Sequence, residues 1–143
     1  MKMLQLNLNI DNLDQVTKFG ALGESGLVGS YWILTPRQEM VPYFLPTEDL
    51  VYFVLTGTGV VYTFDKTKVS NIYLYTPRPN ETVIPSPKYK DIDSAVKSKN
   101  IISSSEIFHI TPGVMHSICN EGKENLVLFS VHSNTHNCVY TSR

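Results

Sequence analysis

One of the chain's four histidines, His116, lies three residues past Gly113 in the stretch HITPGVMHSICN, residues 109–120. Pro112 and Gly113 follow a β-rich run and mark a sharp bend, because proline cannot sit mid-ladder and glycine adopts backbone angles that other residues resist. A strand restarting after such a bend at the mouth of a barrel aims His116 inward. An imidazole titrates near working pH, so His116 is the natural general acid or base, with a tyrosine or Glu48 as partner. In a protein that only binds, the same ring is the polar anchor of a small molecule.

Tyr52 and Tyr62 lie in the two strands flanking Gly57 and are expected to present hydroxyls to the same cavity; Tyr52 shares a face with Leu50 and Val54. If Asn120 to Glu124 forms a hairpin loop, Ile118 faces Leu126, His116 faces Leu128, and His132 falls on that same face. The predicted ligand-binding set is therefore His116, Tyr52, Tyr62, His132 and Glu48. Should a divalent metal bind at all, His116, His132 and His109 would be its donors; no cofactor is predicted. His136 sits in a polar tail. Cys119 and Cys138 lack a metal-knuckle spacing and read as free thiols.

The elements that must position these groups are strands. Leu4, Leu6, Leu8 and Ile10 alternate with polar residues, and Asp11 to Phe19 has room for one helical turn before a glycine-rich loop. Strands are expected over Leu27–Thr35, Met40–Leu45 and Asp49–Leu55, the last apolar on both faces and hence central. Gly57-Thr58-Gly59 reads as a tight hairpin that returns Val60–Phe64 antiparallel to it. Residues 66–105 form a long excursion loop that holds a strand candidate at Asn71–Tyr75, four prolines, and a short helix over Asp91–Lys99 by its charge order. Strands Glu106–Ile110, Val114–Cys119 and Asn125–Ser133 follow. The pattern predicts one all-β antiparallel domain over residues 1–143, with one or two short helices.

A net charge of −1, with 17% charged and 42% hydrophobic residues, gives no electrostatic basis for nucleic-acid binding. The longest apolar run, Leu50–Leu55, is too short to span a membrane, and the N-terminus lacks a signal-peptide core, so the expectation is a cytoplasmic protein without membrane contact.

Two stretches resemble the paired motifs of the cupin superfamily. The second cupin motif runs from a proline to a glycine two residues on, a histidine three later and an asparagine four further; Gly113, His116 and Asn120 match in register. Its proline falls at Thr111 and its leading glycine at Ser105. VYFVLTGTGVVYTF resembles the latter half of the first motif, with Gly57 as its closing glycine. Counting back puts the family's glutamate at Leu50 and its two histidines at Pro46 and Phe44, none of them a ligand; a one-residue slip brings Asp49 near the glutamate position. The resemblance implies an antiparallel jelly-roll (cupin-like) β-barrel with a degenerate metal site. It also implies a homodimer that adds or exchanges the strand at Leu4–Ile10. Two functions fit: a barrel binding a small molecule in a mostly apolar pocket anchored by His116, or an isomerase, epimerase or lyase with His116 as acid or base. Residues 66–105 offer a third role as an interaction surface.

Overall fold

The computed structural model describes residues 17–22, 27–68, 72–75, 93–133 and 138–141. They form β1 (Thr17–Leu22), β2 (Leu27–Leu34), β3 (Tyr43–Phe44), β4 (Leu50–Thr56), β5 (Thr58–Phe64), β6 (Ile72–Tyr75), β7 (Val96–Ser103), β8 (Ile107–Ile110), β9 (His116–Cys119), β10 (Leu126–Ser133) and β11 (Cys138–Thr141). Two single-turn 3-10 segments, Lys66–Lys68 and Asp93–Ala95, are the helical content of the described residues.

All pairings are antiparallel, and the strands divide into a five-stranded sheet, β1-β2-β10-β4-β8, and a six-stranded sheet, β6-β11-β3-β9-β5-β7. The main core draws Leu50, Tyr52, Val54, Leu126 and Leu128 from the first sheet and Tyr43, Val61, Ile102 and Ile118 from the second. Each such apolar side chain contributes roughly 1.5–3 kcal/mol on burial, so the space between the two inner faces is what holds them together. The jelly-roll fold expected from the sequence is the fold observed. No described helix is long and apolar enough to cross a membrane.

Several local expectations are corrected. β4 and β5 are not a hairpin: a single residue, Gly57, separates them, and they belong to different sheets. Gly57 has φ of 90°, and a Cβ there would lie 2.5 Å from the Asn125 carbonyl oxygen, so only glycine lets the chain turn this corner against β10. β9 and β10 likewise separate into opposite sheets, so His116 does not pair beside Leu128; both instead point into the common interior. Thr17–Phe19, expected in a helical turn, lie in β1.

The predicted helix over Asp91–Lys99 contracts to Asp93–Ala95, and Val96–Ser103 is an edge strand paired with β5. Its lysines satisfy the polarity of an exposed sheet edge, not a helix dipole, and the open ladder of β5 supplies the hydrogen bonds. The excursion loop is therefore partly structured, by β6, as expected at Ile72–Tyr75, and by β7. Leu4–Ile10 and His136 lie outside the described residues.

Candidate functional site

Tyr43 and His116 face each other across β3 and β9, the central strand pair of the six-stranded sheet. The Pro112-Gly113 corner is tied to the end of β3 by a hydrogen bond from the Gly113 N–H to the Leu45 carbonyl, 2.8 Å, which brings the start of β9 against Tyr43. Ser105, at the motif's leading-glycine position, has φ of 70°, and Gly113 has φ of 79°; both bends need the left-handed region that the motif's glycines serve. From the opposite sheet, Tyr52 projects inward in the row Ser30–Ser130–Tyr52–Phe108.

These three side chains form a buried relay. The Tyr43 and Tyr52 hydroxyls are 2.5 Å apart, and the Tyr52 hydroxyl is 2.8 Å from His116 Nε2. His116 Nδ1 lies 3.3 Å from the Val114 carbonyl oxygen, which can only accept, so Nδ1 carries the proton and Nε2 accepts from Tyr52. Tyr52 then accepts from Tyr43. His116 and Tyr52 are fully buried, and Tyr43 nearly so.

Burial holds the His116 pKa down at about 4 from its ordinary 6.5, against a smaller opposing pull from the Val114 and Tyr43 carbonyls. The ring is thus neutral at working pH, and the relay directs its hydroxyl donors toward an unprotonated nitrogen. Aromatic packing fixes the geometry: Trp32 stacks on Tyr43 at 5.8 Å and donates its indole N–H to Ser130 Oγ at 2.9 Å, and Phe108 stacks on Tyr52 at 4.9 Å. Phe108 and Val114 are the half-buried side chains that close the core nearest the relay.

The other predicted residues are placed as follows. His132 is inward and buried in the row Val28–His132–Leu50–Ile110, with Nδ1–H donating to the Ser133 carbonyl at 2.7 Å. Glu48 sits at the rim, accepting from the Ser133 and Thr47 hydroxyls. Tyr62 does not join the relay. It alternates with core residue Val61, so it takes the outer face, where its hydroxyl donates to Glu121 at 2.6 Å and is held above its usual range by that bond.

His109 also lies outside the interior, on the outer face of β8, donating from Nε2 to Asp49 Oδ1 at 2.6 Å. Its strand neighbour Phe108 takes the inward position instead. The half-buried Cys119 is a free thiol, pushed up to about 11 mainly by desolvation.

Of the positions counted back from Gly57, Leu50 is inward, but Phe44 turns away into a satellite cluster with Phe64, Ala95 and Met115, and Pro46 is exposed. The inward pair is Tyr43 and Leu45, one residue earlier in each case. Tyr43 is the residue that sequence reasoning missed; its signal was the period-two alternation, in which a one-residue slip exchanges the faces. A metal would meet Tyr43, Leu45, Leu50 and His116 here. One imidazole, two aliphatic chains and a phenol already bonded to Tyr52 do not fit a transition metal's need for about three converging donors. Among the described residues no group of three or more His, Cys, Asp or Glu side chains is placed to hold a metal ion.

The family model described as Cupin matches residues 12–141. No curated protein matches the chain. Among solved structures it is similar to an uncharacterized conserved protein with a double-stranded beta-helix domain from Klebsiella pneumoniae, with TM-score 0.65 and 14% identity over 97% of this chain and 99% of that one. An oxalate oxidase in complex with the substrate analogue glycolate gives TM-score 0.61 and 15% identity, over 92% of this chain and 58% of the other. A cupin superfamily protein from Desulfitobacterium hafniense gives TM-score 0.52 and 12% identity, over 85% and 80% of the two chains. At these identities the likeness is one of fold.

Proposed function

The chain belongs to the cupin family, and on that premise we propose that it binds a small, partly apolar molecule without a transition metal, using neutral His116 and its tyrosine relay as the polar anchor. The observation that carries this reading is the Tyr52–His116 hydrogen bond of 2.8 Å inside a largely aromatic and aliphatic interior. Buried polar groups of this kind fix the orientation of a ligand whose remaining surface is apolar. The ligand approaches past Phe108 and Val114, the half-buried side chains over the relay, and exchanges a hydrogen bond with Tyr52 or His116 as it enters. Glu48 at the rim and the buried His132, at the same end of the five-stranded sheet, supply further polar contacts.

A thermal-shift screen of small hydroxylated and aromatic compounds, repeated on His116→Ala and Tyr52→Phe, tests the proposal. Compounds that stabilise the parent chain should lose at least tenfold in affinity in both variants. One equivalent of iron, zinc or manganese retained through gel filtration would sink the metal-free reading. So would hits that bind both variants unchanged.

The second reading is an isomerase, epimerase or lyase in which His116 takes a proton from substrate and Tyr52 returns one. It is favoured by the direction of the relay, which leaves Nε2 as acceptor and the two hydroxyls as donors. His116→Ala that keeps the fold and abolishes turnover of a compound bound by the parent would select it. Turnover unchanged in that variant would remove it.

A further inference from the structure

Two buried hydroxyls take no part in the tyrosine relay. On the inward face of the five-stranded sheet the register lines up Gly20, Ser30, Ser130, Tyr52 and Phe108 across β1, β2, β10, β4 and β8. Ser30 is 1% exposed and Ser130 2%. Trp32 donates its indole N–H to Ser130 Oγ at 2.9 Å, which leaves the Ser130 proton to be donated in turn. The Ser30 hydroxyl has no hydrogen-bond partner among the described residues. A hydroxyl buried and unbonded is costly, and native interiors rarely keep one without a use.

The row also loses bulk on the far side of Tyr52. The neighbouring inward row holds Trp32, Leu128 and Val54, whereas beyond Tyr52 come two serines and then Gly20, which has no side chain. Side chains directly opposite on neighbouring antiparallel strands stand about 5 Å apart at their Cβ atoms, a gap that one oxygen with two lone pairs bridges. Two donors on one shared acceptor describe the recognition of a carbonyl oxygen. Among the buried described residues none is Lys, Arg, Asp or Glu, so an ionised group there would lose its water and gain no counter-charge.

We propose, building on the small-molecule binding set out above, that Ser30 and Ser130 form a second polar subsite, which takes the carbonyl oxygen of an uncharged ligand whose hydroxyl meets Tyr52 and His116. The register sets the distance between the two subsites: Tyr52 is one strand from Ser130 and two from Ser30, roughly 5–10 Å. A ligand entering past Phe108 reaches Tyr52 first and the serines after it. The class selected is a hydroxylated ketone, aldehyde, ester or lactone with about one ring between its two oxygens, and a carboxylate of the same shape is refused.

Isothermal titration of the full chain near pH 6.5 with three probes of similar shape tests this: para-hydroxyacetophenone, para-ethylphenol, which lacks the carbonyl, and para-hydroxybenzoate, in which a carboxylate replaces it. The parent should bind the ketone about tenfold or more tightly than the phenol, and about a hundredfold more tightly than the carboxylate. Ser30→Ala should bring the ketone-to-phenol ratio within about twofold without lowering the thermal midpoint, since the hydroxyl removed has no described partner. A ratio near one in the parent, or a preference for the ketone that survives Ser30→Ala, overturns the serine subsite; if the phenol still loses about tenfold in His116→Ala, the small-molecule binding it builds on stands without it. A lowered midpoint in Ser30→Ala with an unchanged ratio also overturns it, and marks the pair as the seat of a structural water. Binding of none of the three probes at about 10 mM overturns the subsite as well, and small-molecule binding as such is then refuted only if the broader compound screen fails too.

Discussion

Removing the His116 ring should change how stability depends on pH, by an amount the structure sets. The folded pKa of about 4 lies below the ordinary 6.5 because the imidazolium would be buried without water. Between those values the unfolded chain binds a proton that the folded chain refuses. The contribution is therefore fully present above pH 6.5 and is lost as pH falls toward 4. The gap of about 2.5 pH units at 1.36 kcal/mol each corresponds to roughly 3 kcal/mol, a large share of a typical domain's 5–15 kcal/mol. Carboxylates also titrate in this window, so the relevant quantity is a difference between the parent and His116→Gln. Urea unfolding of both proteins at pH 7.5, 6.5, 5.5 and 4.5 gives that difference at each pH. The parent's advantage over His116→Gln should shrink by roughly 2–3 kcal/mol from pH 7.5 to 4.5, most of it below 6.5. A difference that stays constant across the series would refute the burial and neutrality of the ring, and with them the direction assigned to the relay.

Two further perturbations probe the same architecture. Tyr52→Phe removes the hydroxyl shared by Tyr43 and His116 and takes one hydrogen bond from each buried partner, at a cost of about 2–3 kcal/mol by denaturant unfolding; the Tyr43→Phe/Tyr52→Phe double variant should cost less than the sum of the two singles. Gly57→Ala places a methyl 2.5 Å from the Asn125 carbonyl oxygen at φ of 90°, and a loss of more than about 2 kcal/mol is expected. A thermal midpoint unchanged by that substitution would show that the corner can move.

The strands were legible in the sequence because most of them alternate or run apolar over several residues: β2, β4 and β10 fall within a residue or two of their expected bounds. His116 was legible as well, since Gly113 and Asn120 bracket it at fixed offsets. Which sheet each strand joins was not. Gly57 looks the same in sequence whether it closes a hairpin or turns a strand across the sandwich, and the difference lies in a carbonyl of residue 125, remote in the chain. Tyr43 was hidden for a related reason: between Pro42 and Pro46 the strand is two residues long, too short for its own alternation to declare a face. β7 was missed because its lysines and asparagine satisfy two readings, and only the partner strand β5 decides between them.

Asn120 has a consequence at the opposite end of β9 from His116. Its buried amide donates to the Leu34 and Glu124 carbonyls and accepts from the Gly122 N–H, while its backbone bonds to Gln38 and Arg37. One side chain thus closes the loops at 35–39 and 120–125 together, with its valences filled. At the other end, the 111–115 corner is tied to β3 through the Gly113–Leu45 bond. The two ends of the sandwich differ in their cost of local opening: amide exchange should be slow around Asn120 and faster around Val114. Local opening of the sandwich is thereby expected to cost less at the end where His116 lies than at the end that Asn120 closes.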